Sequence, residues 1–153
     1  MRATRVRRFG VVLLVLFGVQ FAVGMLLNLF VELPTSHPGS AGDEYFARSA
    51  ASLLWSLSGR GGPALLVHAL LGAAVAVGSI VLFVLCVARR VRGWRWLSGL
   101  AALFTVGAFF NGMSFVDYGE DFSSAIMAGC WLLAVACLVA ALVRDPGWRG
   151  TRA

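Results

Sequence analysis

The 153-residue chain has no lysine, only two histidines and seven acids, and charged residues make up just 13% of it. A soluble domain carries about 25% charged residues, so charge this sparse cannot solvate an ordinary globular surface. Cysteine is scarce as well. Cys86, Cys130 and Cys137 all stand inside apolar runs, and their odd number speaks against a disulfide framework. Packing thiols are the simpler reading. The chain lacks Cys-x-x-Cys, His-Glu-x-x-His and a Gly-x-Ser with a suitably placed histidine. Thiol oxidoreductase, zinc protease and intramembrane serine protease chemistry therefore have no residues to carry them. No carboxylate sits well inside an apolar run, where a proton-coupled exporter needs one; Glu32 reaches only an edge. Enzymatic activity is left without a motif.

What the chain does have is hydrocarbon. Its apolar share is 59%, its mean hydropathy is +0.85, and soluble domains reach only about 45–50% apolar. A bilayer core of about 30 Å needs roughly 20 apolar residues of helix. Four uncharged stretches are that long: Gly10–Val31, Pro63–Ala88, Trp96–Val116 and Phe122–Val143. The first follows a basic segment, as a signal peptide would. Its 22 residues exceed the usual apolar region of about 7–15, and no close small-residue cleavage site follows. It reads as an uncleaved span.

A net charge of +6 raises the question of nucleic acid, which the distribution answers. Eleven of the thirteen arginines fall in three short segments between or beyond the spans: Arg2, Arg5, Arg7, Arg8; Arg89, Arg90, Arg92, Arg95; Arg144, Arg149, Arg152. Nothing there forms a basic face with interleaved aromatics, so nucleic acid is not a partner. The arginines act as topology determinants instead. With the N-terminus inside, those eleven share the cytoplasmic side with one acid, Asp145. Arg48 and Arg60 face Glu32, Asp43, Glu44, Asp117, Glu120 and Asp121 outside. Both termini are then cytoplasmic and the chain belongs in a plasma membrane. Trp94, Trp96 and Trp148 fall at the inner boundary, and Tyr118 and Phe122 at the outer one, where amphipathic rings settle. The turn carrying Asp117, Glu120 and Asp121 reads as a solvated connection.

The outer loop, residues 32–62, opens with Pro34-Thr-Ser-His-Pro38-Gly39, which cannot be regular structure. From Asp43 to Leu57 the spacing becomes helical. Phe46, Ala50, Leu53, Leu54 and Leu57 share one face, and Arg48, Ser52 and Ser56 the other. Asp43 and Glu44 suit its start and Gly59 its stop. The pattern predicts an amphipathic helix on the outer surface or across the bundle mouth, with Phe46, Leu53 and Leu57 turned inward.

The fold class is thus all-α: residues 1–153 form a single membrane domain, a four-helix transmembrane bundle with an amphipathic helix in its first outer loop. Small-residue pairs such as Gly72 with Ala76 and Ala108 with Gly112 suit close helix packing in lipid. They leave room for other membrane subunits or a homo-oligomer beside the lipid bilayer itself.

Polarity within the spans is one-sided. Asn28, His68, Asn111, Ser114, Ser123 and Ser124 all fall in the outer leaflet, and Gln20 lies near the middle. Asn28, His68, Asn111 and Ser114 are the candidate ligand-binding residues at a polar outer mouth. Met25, Met113 and Met127 share that depth, below the loop carrying His37. A metal or haem b reading would centre on His68 with these thioethers or His37, since His/Met and His/His pairs hold haem and soft ligands select copper(I). Three functions remain open: an accessory or small-ligand-binding protein, a redox protein centred on His68, and a small transporter subunit. Gly24-Met-Leu-Leu-Asn28-Leu-Phe-Val-Glu32 and Gly107-Ala-Phe-Phe-Asn111…Phe-Val-Asp117 share Gly-x-x-x-Asn, as a two-hairpin transporter repeat would.

Phe110-Asn-Gly-Met-Ser-Phe-Val-Asp-Tyr-Gly-Glu-Asp-Phe-Ser-Ser124, with Gly24-Met-Leu-Leu-Asn28 upstream, resembles a family of small four-span prokaryotic integral membrane proteins of unassigned function. The resemblance covers most of the chain. It implies the four-span topology and no catalytic residue. His68-x-x-x-Gly72 also resembles the haem-binding helices of membrane cytochromes.

Overall fold

The computed structural model of the chain describes residues 2–32, 34, 36, 37, 40, 44–119 and 121–145. Five helices follow one another: α1 (Arg2–Phe30), α2 (Tyr45–Leu57), α3 (Pro63–Ala88), α4 (Arg92–Tyr118) and α5 (Asp121–Arg144). All but α2 are long and apolar enough to cross a membrane, which makes the chain a multi-pass membrane protein. At 1.5 Å per residue, 27 residues of α4 reach about 40 Å, more than a bilayer core requires. Helix α3 coincides with its predicted span, α4 and α5 run past theirs at both ends, and α1 begins at Arg2 rather than Gly10.

The turns explain where the helices stop. Gly119 ends α4 in the left-handed region (φ 67°) and donates its N–H to the Phe115 carbonyl at 2.8 Å. Glu44 caps α2, its Oε2 accepting from the Ala47 N–H at 2.7 Å, and Gly59 (φ 76°) lets the chain leave it, as expected. Between α3 and α4 only Arg89–Val91 intervene, because Arg92–Arg95 already belong to α4. Arg90 takes a positive φ of 53° there, a conformation that costs a non-glycine residue about 1 kcal/mol.

In ring order the long helices run α1, α3, α4, α5, with α1 resting most closely on α3 and more lightly on α5. The α1–α3 seam is antiparallel and built on glycine. Leu13 packs into Gly78, Gln20 lies over Gly72, and the His68 ring lies against Gly24. Where no water drives helices together, such close approach supplies the dispersion that holds them. Across the α3–α4 and α4–α5 contacts, Thr105 Oγ1 meets Ser79 Oγ and Ser114 meets Ser123, each at 3.4 Å.

The bundle is packed in one half and hollow in the other. At the arginine end a core of Val6, Leu13, Leu82, Trp94, Leu138 and Ala141 is closed to solvent. Trp94 was expected in an interfacial belt. It is instead a plug, 1% exposed, its ring against Gly10 and its Nε1 donating to Asp145 Oδ2 at 2.8 Å. The buried glycine contact and carboxylate acceptor draw it inward; Trp96, 74% exposed, keeps the belt position. Trp148 lies outside the described residues.

A helix covers Tyr45–Leu57 of the predicted Asp43–Leu57, Asp43 lying outside the described residues, but most of the side chains it buries are not the expected ones. Phe46 and Leu54 are 66% and 67% exposed, whereas Ser49, Ser52 and Ser56 are buried against the bundle with Trp55. Leu53 is half-buried beside the cavity and Leu57 half-buried. The cause is Asp117. Its carboxylate is buried beneath α2 and draws Arg48 and Ser52 inward, so the apolar side is left to face outward.

The Trp94 plug gives a direct test. A Cβ at Gly10 would lie 2.6 Å from Trp94 Cη2, and one at Gly18 would meet nothing within 4 Å. Gly10→Ala should destabilise the protein by about 1–3 kcal/mol through overpacking. Gly18→Ala should be neutral or stabilising by up to about 1 kcal/mol. Unfolding titrations of both variants in mixed micelles measure the difference; equal effects would refute the plug.

Candidate functional site

The hollow half holds a partly open cavity of about 580 Å³ that extends from the level of Phe17, Val75 and Thr105 up to Pro34, Asp117 and α2. Every helix contributes to its wall. The walls are mainly apolar, with Phe21, Phe109, Met113, Met127 and Trp131 prominent. Trp131 is fixed by stacking on Phe21 (ring centroids 4.8 Å apart) and by donating from Nε1 to the Phe17 carbonyl at 3.2 Å. Thr105 forms part of the floor, its hydroxyl turned back to the Ala101 carbonyl at 2.6 Å.

Polar groups enter at two depths. Gln20 Nε2 lies 3.3 Å from Nδ1 and 3.2 Å from Nε2 of His68, and donates to whichever nitrogen carries the lone pair. Gly24 makes this possible, since a Cβ there would come within 2.9 Å of His68 Cε1. About 12 Å higher along α4, two turns above Phe109, stands Asp117. Its side chain is fully enclosed, and Oδ1 accepts from Arg48 Nη2 at 3.3 Å and from Ser52 Oγ at 3.4 Å. Arg48 also lies 4.5 Å above the Tyr118 ring, which stacks on Tyr45. Asp117 is therefore no solvated turn residue but half of a buried ion pair.

The predicted site residues divide into two groups. His68, Asn28, Met25, Met113 and Met127 all line the cavity. Asn111, Ser114 and His37 are not part of its wall. Asn111 turns back on its own helix and donates to the Gly107 carbonyl at 2.8 Å, because that acceptor sits one turn away. Ser114 is buried in the α4–α5 contact with Ser123. His37 belongs to the cover, stacked on Trp55 at 4.4 Å with its Nε2 bonded to the Val116 carbonyl at 3.1 Å. Trp55 in turn packs with Leu27 and Leu65 beneath α2.

Sequence reasoning did not reach Gln20, Arg48, Ser52 or Asp117 as site residues. The signal available was the polar stripe Arg48–Ser52–Ser56 on a short helix otherwise apolar. Among the described residues no group of three or more His, Cys, Asp or Glu is placed to hold a metal ion.

No family model, curated protein or solved structure matches the chain.

Proposed function

We propose that the chain is a small-ligand-binding accessory protein of a prokaryotic plasma membrane, with both termini cytoplasmic and the α2 end in the outer leaflet. The observation that carries this reading is the cavity. Its volume of about 580 Å³ lies in the range of small-molecule sites, and it pairs apolar walls with a few convergent polar groups, as such sites do. Arginine clustering at the end away from α2 supports the orientation. Binding is favoured over transport because Leu13, Leu82, Trp94 and Leu138 fill the half below the cavity. It is favoured over metal ligation because iron or copper at His68 would have to displace the Gln20 amide from beside both ring nitrogens.

Extraction into lipid-polymer particles, followed by mass spectrometry of the organic extract, tests the proposal. A small apolar molecule should accompany the wild type at near one per chain. It should be lost from Ala108→Trp, whose indole would occupy the cavity. Equal recovery from both proteins refutes it. An absorption spectrum and metal analysis of the same preparation decide the redox alternative. A Soret band or stoichiometric copper that disappears in His68→Gln would replace ligand binding as the function.

Orientation is tested in a background where Cys86, Cys130 and Cys137 are replaced. A cysteine at Arg60 should react with an impermeant maleimide on intact cells, and one at Arg92 only after permeabilisation. External labelling at position 92 would invert the topology.

A further inference from the structure

The cavity wall is not equally closed on all sides. Its residues on α3 are all buried or half-buried, and so are those on α4 as far as Asp117. On α1, by contrast, Phe21 and Met25 line the cavity while 48% and 42% exposed, and Asn28 lines it and is exposed too. Ala128 does the same on α5. These four residues border the seam where α1 rests only lightly on α5. The seam is fastened at its lower end, by the Phe21–Trp131 stack and the bond from Trp131 to the Phe17 carbonyl. Among the described residues no hydrogen bond or ring contact joins α1 to α5 above that level, toward Asn28.

The depth of this gap decides what reaches it. By helical rise, Phe21 stands about 20 Å and Asn28 about 30 Å from Arg8, and Ala128 about 24 Å from Arg144. A bilayer core of about 30 Å that begins at those arginines puts the gap beside acyl chains, with Asn28 at the boundary. Pro34, Tyr118 and Gly119 are exposed wall residues as well, but they lie at the end where α2 is seated. There Trp55 packs with Leu27, Leu65 and Val116, and Tyr45 stacks on Tyr118.

Resting on the cavity as a ligand site, we infer that its ligand is the acyl chain of an outer-leaflet lipid, which enters sideways through the gap between α1 and α5 and leaves its head group beside Asn28. The dimensions agree. From Thr105 to Asp117 the wall of α4 rises about 18 Å, and one leaflet of the core is about 15 Å deep. Phe109, Met113, Met127 and Trp131 offer the chain an apolar wall, and the flexible thioethers adapt to its bends. At the deep end the Gln20 amide is already engaged with His68. Asn28, at the mouth, is placed to meet the ester or the head group.

Photolabelling tests this, with the protein in nanodiscs that contain a phosphatidylcholine bearing a diazirine midway along one acyl chain. After irradiation and digestion, mass spectrometry should find label on Met113 and Met127. That label should be lost in Ala108→Trp, which fills the cavity, and in Ala128→Trp, which fills the gap. It should persist in Leu133→Trp, a change at a lipid-facing position of α5 (47% exposed) outside the cavity wall. Label that survives Ala108→Trp comes from lipid around the bundle and overturns the inference. Label lost in Ala108→Trp but kept in Ala128→Trp overturns the route between α1 and α5. Unlabelled methionines in the wild type overturn the lipid chain; if a non-lipid molecule is still recovered from the wild type and lost from Ala108→Trp, the cavity stands as a ligand site. The wild-type labelling is decisive even if Ala128→Trp does not fold.

Discussion

A carboxylate enclosed by protein at the end of a membrane helix must be neutralised locally, because no water reaches it to share the charge. Asp117 is in that position, and the architecture of the α2 end follows from how the chain meets the demand. The countercharge comes from Arg48 on a helix far away in sequence. Bringing Arg48 inward turns Ser49, Ser52 and Ser56 inward with it, since they share its side of a short helix. Phe46 and Leu54 are then left outside. In water that arrangement would be costly, and against acyl chains it would be favourable.

Below this cover the bundle divides its labour by depth. The arginine half excludes space, through a tryptophan wedged against a glycine and a seam in which side chains of α1 and α3 enter one another's glycine gaps. The α2 half retains space and lines it with thioethers and rings. Gly78 admits Leu13 in the packed half, and Gly72 and Gly24 make room for Gln20 and His68 in the hollow one. Rigidity below and vacancy above therefore come from one repeated device.

Much of this was legible from the residues. Four uncharged runs and their lengths suffice for the long helices, because a bilayer core imposes a single dimension on them. Glu44 and Gly59 bounded α2 correctly, since capping is local chemistry. The facing of α2 was not legible. Periodicity says which residues share a side but not which side meets protein, and the usual rule inverts where the surroundings are lipid. Asp117 was hidden by its neighbours Glu120 and Asp121, which make the segment look like a solvated turn. Asn111 misled in the other direction, for an amide in a span also finds an acceptor one turn back on its own helix. His68 and the three methionines line one cavity, and they could be grouped from the sequence because on long helices level follows from rise per residue.

The Arg48–Asp117 pair also dictates an order of assembly. The two residues are 69 positions apart, and at about 5–20 residues per second the ribosome takes several seconds to bridge that interval. Throughout it α2 has been made, but the carboxylate that anchors it has not. The serine and arginine side of α2 must stay hydrated at the membrane surface while α3 and then α4 are inserted. The cover of the cavity is therefore synthesised before the carboxylate that holds it.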